Sequence, residues 1–295
     1  MRIGVYGQTI NDRDLSWVVS FLEKLISDGH HLSVYHAFAE LLPESLRKKT
    51  LSGIIESVDD TIDRELDFFL SLGGDGTMLR AVNFTYQSNV PVLGINLGRL
   101  GFLASVEKRN AIDAVNKIAL GEYNIQKRTL LELGGNNNLF APDPVALNDF
   151  TVSKRDASSM INIHTYIDGE FFNTYWSDGL IISTPTGSTG YSLSCGGPIV
   201  FPCSGNLVVT PIAPHNLNVR PIVISDTSQI TVELEGRTDS FLCSLDSRYE
   251  AITSADHLVI KKSKFVGRII MMKNYSYAES LREKLTWGVD KRRLN

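Results

Sequence analysis

The sequence predicts an α/β domain with a parallel sheet, followed by an all-β domain of the sandwich type. The chain has 295 residues, of which 43% are apolar, so it is too long for one ordinary domain and can supply two cores. Up to about residue 125, apolar strands alternate with helical patterns, which is typical of a parallel sheet with helices on both faces. Beyond that point, short strand patterns follow one another, which indicates a β-sandwich.

The first domain is predicted from its alternating strand and helix patterns. Residues 12–28 carry apolar side chains at helical spacing, with N-cap candidates at Asn11, Asp12 and Asp14 and a stop at Gly29. The predicted strands span residues 2–6, 31–38, 66–72 and 90–96, and the other predicted helices span residues 77–87 and 110–121.

The second domain is expected to consist of short strands joined by turns. Asp168 and Gly169 lie between two alternating runs, which is a strong signal for a two-residue hairpin. Residues 276–288 predict a final helix, with Ser276 as its N-cap and Gly288 as its stop, and we expect this tail to return to the first domain. The expected divisions are residues 1–125, 126–266 and 267–295.

Composition excludes several classes of protein. The net charge is −4, without the basic stripe that nucleic-acid binding usually requires. No apolar run approaches the roughly 20 residues needed to span a bilayer, and the N-terminus lacks the pattern of a signal peptide. The three cysteines form no CxxC pair, which argues against a disulfide framework or a structural zinc site. We therefore expect a cytoplasmic protein with reduced thiols.

The stretch GGDGT, residues 73–77, follows the apolar strand predicted over residues 66–72. A strand, a glycine turn and a helix together form a common phosphate-binding arrangement. The patterns GxxxxGK[ST] and GxGxxG are absent here, and a carboxylate would repel phosphate. Asp75 is better explained as a base that acts on a hydroxyl beside a phosphate, or as a metal-mediated contact. A simple turn with Asp75 at a helix N-cap stays open as an alternative.

Several blocks resemble the NAD kinase family. GGDGT is similar to a signature that this family shares with diacylglycerol-type lipid kinases and 6-phosphofructokinases. The rest of the resemblance lies in VLGINLGRLGFLAS (92–105), ALNDFTVSK (146–154), SDGLIISTPTGSTGYSLSCGGPI (177–199) and TPIAPHNLNVRPIV (210–223), in the family's order. The serine- and threonine-rich block is the most specific, because the lipid kinases do not carry it. The resemblance covers nearly the whole chain.

The resemblance implies a phosphotransferase that carries a terminal phosphoryl group, usually from ATP, to the adenosine ribose 2′-hydroxyl of NAD. Asp75 is then expected to be the general base, since an ordinary carboxylate is ionised at neutral pH. Gly73, Gly74 and Gly76 would admit the phosphates. Arg80 would meet a phosphate or lie on a solvated face of the helix.

The resemblance also implies the cofactors and partners. We expect NAD and ATP as ligands, with Mg²⁺ arriving on ATP and held largely by its phosphates. No metal site built from protein ligands alone is expected, because the histidines show no ligand spacing. The family usually forms homodimers or homotetramers, so a homo-oligomer is expected.

The second domain would then bind the dinucleotide. The family match gives the 184–194 block the adenine and ribose contacts and gives one carboxylate the nicotinamide side. The residues expected to contact the dinucleotide are Phe102, Asn148, Asp149, Asp178, Thr189, Gly190, Tyr191, Ser192, Leu193, Ser194 and Ala213.

Structural explanations stay open for some of these positions. Residues 148–149 could form an ordinary turn, Phe102 could be a core side chain, and His215 could be a core histidine bonded to backbone. Trp176 stands where many family members have Arg or Lys, and Arg248 where some have Gln, so the contacts there stay undecided.

Two rival functions also stay open. A lipid or sugar kinase could share the GGDGT loop, although no apolar or basic stretch suggests a membrane-facing surface. A sensor that binds NAD or NADP without turnover would keep the same pocket and lack catalysis.

Overall fold

The structure is a computed structural model, and it describes residues 1–63, 65–98, 101–135, 138–155 and 159–287. The first part of the chain forms the expected α/β layers. Its strands are β1 (Arg2–Gly7), β2 (His31–Tyr35), β3 (Leu51–Ile55), β4 (Phe68–Leu72), β5 (Val92–Asn96) and β6 (Val106–Glu107). Its helices are α1 (Asp12–Ser27), α2 (His36–Ala39), α3 (Glu44–Thr50), α4 (Val58–Asp63), α5 (Asp75–Thr85) and α6 (Ala111–Ala119).

The strands of this part pair in parallel in the order β3-β2-β1-β4-β5-β6. Strand β4 is buried throughout, and its side chains alternate between two cores. Phe68 and Leu70 pack in the core that contains α1 and α6, whereas Phe69 packs in the core that contains α5. The prediction of a parallel sheet covered on both faces is therefore confirmed.

Three details differ from the sequence prediction. The strand expected over 31–38 ends at Tyr35, because the next four residues turn into α2 and bury Phe38 and Ala39. Helix α5 begins at Asp75, two residues before the predicted start. No element is predicted over residues 44–63, where α3, β3 and α4 lie. Helix α3 is largely polar and β3 is an edge strand, so both lack a strong apolar pattern.

The second part of the chain is almost entirely β-structure. Its strands are β7 (Tyr123–Gly135), β8 (Val145–Ala146), β9 (Asp149–Lys154), β10 (Ile161–Ile167), β11 (Glu170–Ser177), β12 (Gly179–Ser183), β13 (Asn206–Ile212), β14 (Ile222–Ser225), β15 (Ile230–Glu235), β16 (Phe241–Leu245), β17 (Arg248–Ile252) and β18 (Leu258–Met272). Its short helix α7 spans Tyr191–Ser194, after a 3-10 turn at Gly187–Thr189.

These strands build the expected sandwich. One sheet is antiparallel in the order β14-β13-β12-β9-β16-β17, and the facing strands are β11, β10, β15, β18, β7 and β8. Phe150 and Leu180 from the first sheet share a core with Ile163 and Ile230 from the second. The hairpin predicted at Asp168-Gly169 is confirmed, with φ of 53° and 83° at its two turn residues and β10 paired to β11.

Strand β18 joins the two parts of the molecule. Its residues Leu258–Ile260 pair antiparallel with β15, whereas Ile269 pairs parallel with Val92 of β5. Strand β7 runs beside β18 along most of its length. The parallel sheet and one face of the sandwich therefore form a continuous sheet of twelve strands.

The tail ends in helix α8 (Tyr277–Lys284), and the predicted cap is confirmed: the Ser276 hydroxyl accepts a hydrogen bond from the Glu279 amide at 3.3 Å. The predicted stop, Gly288, lies outside the described residues. Lys284 donates a hydrogen bond to the Gly101 carbonyl. The tail helix thus returns to the first part of the chain, as expected. Within the described residues, no helix is long and apolar enough to cross a membrane.

Candidate active site

The glycine turn places Asp75 at the start of α5, at the carboxyl end of the buried strand β4. Gly73 has a φ of 157°, and a Cβ there would lie 2.3 Å from Thr77 Oγ1, so only glycine fits. A Cβ at Gly74 or Gly76 would meet nothing within 4 Å, which shows that the turn borders open space. The first turn of a helix has no intrahelical partners for its N–H groups, so this open space adjoins backbone donors.

The Asp75 carboxylate is held by the backbone of a second segment, residues 101–104. The Phe102 amide donates to Oδ2 at 2.7 Å, and the amides of Leu103 and Ala104 donate to Oδ1 at 3.0 Å each. A Cβ at Gly101 would lie 1.9 Å from Oδ1, so glycine lets this segment cover the carboxylate. A carboxylate has about four acceptor sites, so three amides leave room for about one further donor.

Asn148 and Asp149 lie where β8 passes into β9, and the carboxylate of Asp246 supports their backbone. Asp246 accepts from the amides of Leu147 at 3.0 Å, Asn148 at 2.7 Å and Asp149 at 3.3 Å. Asp149 is itself 7% exposed and accepts from the Thr151 hydroxyl at 3.2 Å. The Asn148 side-chain oxygen is buried without a hydrogen-bond partner among the described residues. It is therefore an acceptor that a ligand could satisfy.

Burial is the main influence on the pKa values of Asp149 and Asp246. It raises the pKa of Asp149 to about 7, and the nearby charge of Asp246 adds to the increase. Burial also raises the pKa of Asp246, although its three amide donors act in the opposite direction. Two close carboxylates thus share a poorly solvated site, and Asp149 changes its charge near neutral pH.

A cavity of about 450 Å³ lies between Asn148 and Asp149 on one side and helix α5, which begins at Asp75, on the other. Leu79 of α5 forms part of its wall, opposite residues of the sandwich. The sandwich residues that line it are Asn148, Asp149, Thr151, Ser153, Tyr191, Leu242, Ser244, Asp246, Ser247 and Tyr249. Hydroxyl groups and two aromatic rings therefore surround the carboxylates, which suits a ligand with a flat ring and several polar atoms.

The 184–194 block folds directly over Asn148. The Thr184 amide donates to the Asn148 carbonyl at 2.9 Å, and a Cβ at Gly187 would lie 2.2 Å from that oxygen. A Cβ at Gly190 would lie 3.2 Å from the Gly187 carbonyl oxygen, so an alanine there needs a small adjustment. Gly190, a predicted contact residue, thus lies beside Asn148. The hydroxyl of Thr189, another predicted contact residue, donates to the Thr186 carbonyl at 3.3 Å.

The predicted residues 191–194 divide into two groups. Tyr191 is 47% exposed at the cavity and Ser194 is also exposed, while Leu193 is half-buried. Ser192 is buried, and its hydroxyl lies 2.9 Å from that of Thr210. The structure therefore places Ser192 in the packing beneath α7 and leaves the other three accessible.

Asp178 lies beside the end of β13, and Ala213 directly follows that strand. The Asp178 amide donates to Ile212, and its carboxylate pairs with Lys154 at 2.6 Å. The negative charges of Asp149 and Asp178 both help to raise the pKa of the Tyr191 hydroxyl, after burial as the main cause.

Four other positions have settled environments. The ring centroids of Trp176 and His215 lie 4.1 Å apart with the rings tilted by 35°, and the His215 amide donates to the Trp176 carbonyl, so the two side chains pack together. Arg248 donates to the carbonyls of Asp143 and Val145. Arg80 is half-buried on α5.

Phe102 belongs to the segment over Asp75. Its ring lies 5.0 Å from Lys284 Nζ and 6.4 Å from the ring of Tyr277. The side chain is half-buried and is not among the core clusters of the described residues.

Sequence reasoning missed two residues that organise the site. Asp246 is a half-buried turn residue with φ of 51°, and Lys284 lies on the tail helix. Each acts on a segment about a hundred or more residues away, with separations of 98 for Asp246 to Asn148 and 183 for Lys284 to Gly101. Local patterns carry no signal for such contacts.

The fold and the site together define a two-domain nucleotide-binding protein, with a glycine turn on an α/β domain and a polar cleft on a β-sandwich. Models of two families match the chain: the ATP-NAD kinase N-terminal domain over residues 17–123 and the ATP-NAD kinase C-terminal domain over residues 147–272. An NAD kinase of Flavobacterium psychrophilum is 42% identical over 99% of this chain and 100% of its own length. An NAD kinase of Cytophaga hutchinsonii is 51% identical over 77% of each chain. The chain belongs to the NAD kinase family.

Two solved structures resemble the fold. A yeast NADH kinase complexed with NADH gives a TM-score of 0.86 at 22% identity, covering 98% of this chain and 88% of that one. An NAD kinase from Archaeoglobus fulgidus in complex with ATP gives a TM-score of 0.75 at 25% identity, covering 97% and 99%. These structures confirm the predicted fold class, while the family models and the relatives confirm the family resemblance.

Proposed function

We propose that Asp75 is the general base that receives the proton of the adenosine ribose 2′-hydroxyl while ATP transfers its terminal phosphoryl group to that oxygen. As a member of the NAD kinase family, the chain is an enzyme that phosphorylates NAD to NADP. One observation carries the assignment of the base. Three amides fix the Asp75 carboxylate and leave it about one free acceptor site beside an open glycine turn.

The dinucleotide would lie in the cavity between α5 and the sandwich. We assign Asn148, whose side-chain oxygen has no partner among the described residues, and Asp149 to binding of the adenosine. Tyr191 lines the same cavity and would stack on the adenine ring. The 184–194 block folds over Asn148. This position supports the assignment of four of its residues as contacts: Thr189, Gly190, Leu193 and Ser194.

Asp178 would meet the nicotinamide side, and Ala213 would lie near the pocket for the adenine and its ribose. Phe102 would contact the ribose from the segment above Asp75. Trp176, which packs against His215, then offers an aromatic surface where many relatives are expected to offer a cation. Ser192 would support the site by packing beneath it.

The donor phosphates would lie over the glycine turn, where Gly74 and Gly76 border open space. Among the described residues, no group of three or more His, Cys, Asp or Glu side chains is placed to hold a metal ion. We assign Mg²⁺ to the phosphates of ATP, because this ion is usually bound through substrate phosphates and would offset their charge there. Arg80 would approach the same phosphates from α5.

We also propose a cytoplasmic homo-oligomer. Strand β11 is an edge of the large sheet, and it exposes Phe171 and Phe172 at 56% and 44%. Exposed apolar side chains on a sheet edge favour association with another chain. Light scattering on purified protein would give a single chain mass if this proposal is wrong.

The activity is tested by incubating the protein with NAD, ATP and Mg²⁺ and measuring NADP with an NADP-specific dehydrogenase. We expect NADP to accumulate in proportion to enzyme and time. Omission of ATP provides the control, and other nucleotides or polyphosphate in its place define the donor range. Tight NAD binding without NADP formation under any donor would instead identify a sensor.

A further inference from the structure

We propose that Lys284, on the tail helix α8, is a positioning residue that holds segment 101–104 over the Asp75 carboxylate. In this arrangement the last described helix of the chain determines the position of the base in the first domain. The role in catalysis rests on the proposed function of Asp75, whereas the structural role does not.

The first step of the argument is the contact of Lys284 with segment 101–104. Its ammonium donates to the Gly101 carbonyl and lies 5.0 Å from the centroid of the Phe102 ring. A charged donor makes a stronger hydrogen bond than a neutral one, and a cation over an aromatic ring adds attraction. One side chain therefore binds two consecutive residues of the segment.

The second step connects that segment to the base. Gly101 touches Asp75 so closely that an added Cβ would lie 1.9 Å from its Oδ1. The next three amides all donate to the same carboxylate, and the Gly101 amide closes the loop by donating to the Ala104 carbonyl at 3.4 Å. A shift of Gly101 would move the three donors together, so Asp75 would lose its fixed orientation.

The third step concerns the helix that carries Lys284. Helix α8 is anchored by the Ser276 cap and by Leu281, which is 3% exposed. Tyr277 at its start packs against Phe201, with ring centroids 5.2 Å apart, and lies 6.4 Å from Phe102. The helix is thus an ordered support for the ammonium. Burial lowers the pKa of the Lys284 ammonium, and the negative charge of Asp75 acts in the opposite direction.

The structural part is tested by hydrogen exchange of the amides of Phe102, Leu103 and Ala104 in the full-length protein. Lys284→Met removes the charge and keeps the length of the side chain, and we expect these amides to exchange about tenfold faster, the factor expected for losing one charged hydrogen bond. Lys284→Arg keeps a charged donor and should retain most of the protection. Arg282→Met, an exposed change on the same helix, is the matched control and should leave exchange unchanged.

The kinetic part uses the same variants. We expect Lys284→Met to lower kcat about tenfold while KM for NAD changes by less than about threefold, since the residue acts on the base and not on the dinucleotide. Lys284→Arg should recover most of kcat. A general loss of folding would instead lower the melting temperature of both Lys284 variants, so melting curves accompany each measurement.

The proposal is overturned if Lys284→Met leaves exchange at residues 102–104 unchanged, or if Lys284→Arg loses as much kcat as Lys284→Met. If the wild-type protein forms no NADP, the proposed function fails, and the exchange measurement still decides whether Lys284 holds the segment. Asp75→Ala, which removes the acceptor of the three amides, shows the exchange expected for a released segment.

Discussion

Two carboxylates of the candidate site stand in opposite environments. Asp75 lies at a glycine turn, is held by three backbone amides and borders open space. Asp149 is 7% exposed, accepts one side-chain hydroxyl and stands beside the carboxylate of Asp246. The difference shows how one site can use two acids differently: the backbone fixes one in position, while burial controls the charge of the other.

The largest effect is expected at the amide-held carboxylate. Asp75→Asn should lower kcat by about 10²- to 10⁴-fold, the usual contribution of a general base, while NAD binding measured by calorimetry is retained. The matched control is Asp113→Asn on α6, an exposed acid paired with Lys117 at 2.7 Å, which should leave kcat unchanged. A rate within a factor of about ten of the wild type would remove Asp75 from the role of base.

Segment 101–104, which binds the Asp75 carboxylate, can be disturbed without changing Asp75 itself. Gly101→Ala adds a Cβ 1.9 Å from Oδ1 and should displace the carboxylate from its amides, which lowers kcat by up to about 10²-fold. Gly98→Ala is the control in the same loop, because its nearest atom would be 3.9 Å away. Equal rates in the two variants would show that the position of the carboxylate matters less than its presence.

The buried carboxylate predicts an effect on stability. The pKa of Asp149 in the folded protein is about 7, above its unfolded value, so this group stabilises the fold fully at low pH. That stability is lost as the pH rises toward about 7, because the unfolded chain ionises this carboxyl group while the folded protein keeps it protonated, and the loss levels off once folded Asp149 ionises as well. Asp149→Asn should therefore become more stable relative to the wild type between pH 5 and 8, by about 1.4 kcal/mol for each unit by which the pKa is raised, at most.

Melting curves of both proteins across this pH range provide the test of the Asp149 prediction. A constant offset between them reflects the lost bond from Thr151, and only the change of the offset with pH reports the ionisation. A difference that does not vary with pH would show that Asp149 titrates at an ordinary value.

The sequence was sufficient for those parts of the molecule whose signal is local. The buried strand β4 and the glycine turn are adjacent in the chain, and so are the residues of the 168–169 hairpin, so pattern and spacing located them. Strand β3 and helix α3 lie at the edge of the sheet, and they lack the apolar pattern on which such reasoning depends.

The contacts that support the site could not be predicted from the sequence, for a different reason. Asp246 holds Asn148 from 98 residues away, and β18 joins β5 through the single pair of Ile269 with Val92. The sequence showed Asp75 in one motif and Asn148 with Asp149 in another. The division of the two carboxylates into an amide-held acid and a buried acid depends on tertiary packing, which no spacing in the chain encodes.

The smallest expected effects distinguish two neighbouring serines of α7. Ser192 is buried against the Thr210 hydroxyl at 2.9 Å, so Ser192→Ala should lower the free energy of unfolding by about 1–3 kcal/mol and leave KM unchanged. Ser194 is exposed, so Ser194→Ala should leave the melting temperature unchanged and raise KM for NAD by about three- to tenfold, the value of one hydrogen bond. If Ser192→Ala raises KM while Ser194→Ala does not, the face that α7 presents to the dinucleotide is the opposite one, and the cavity beside Tyr191 and Asp149 would then not hold the adenosine.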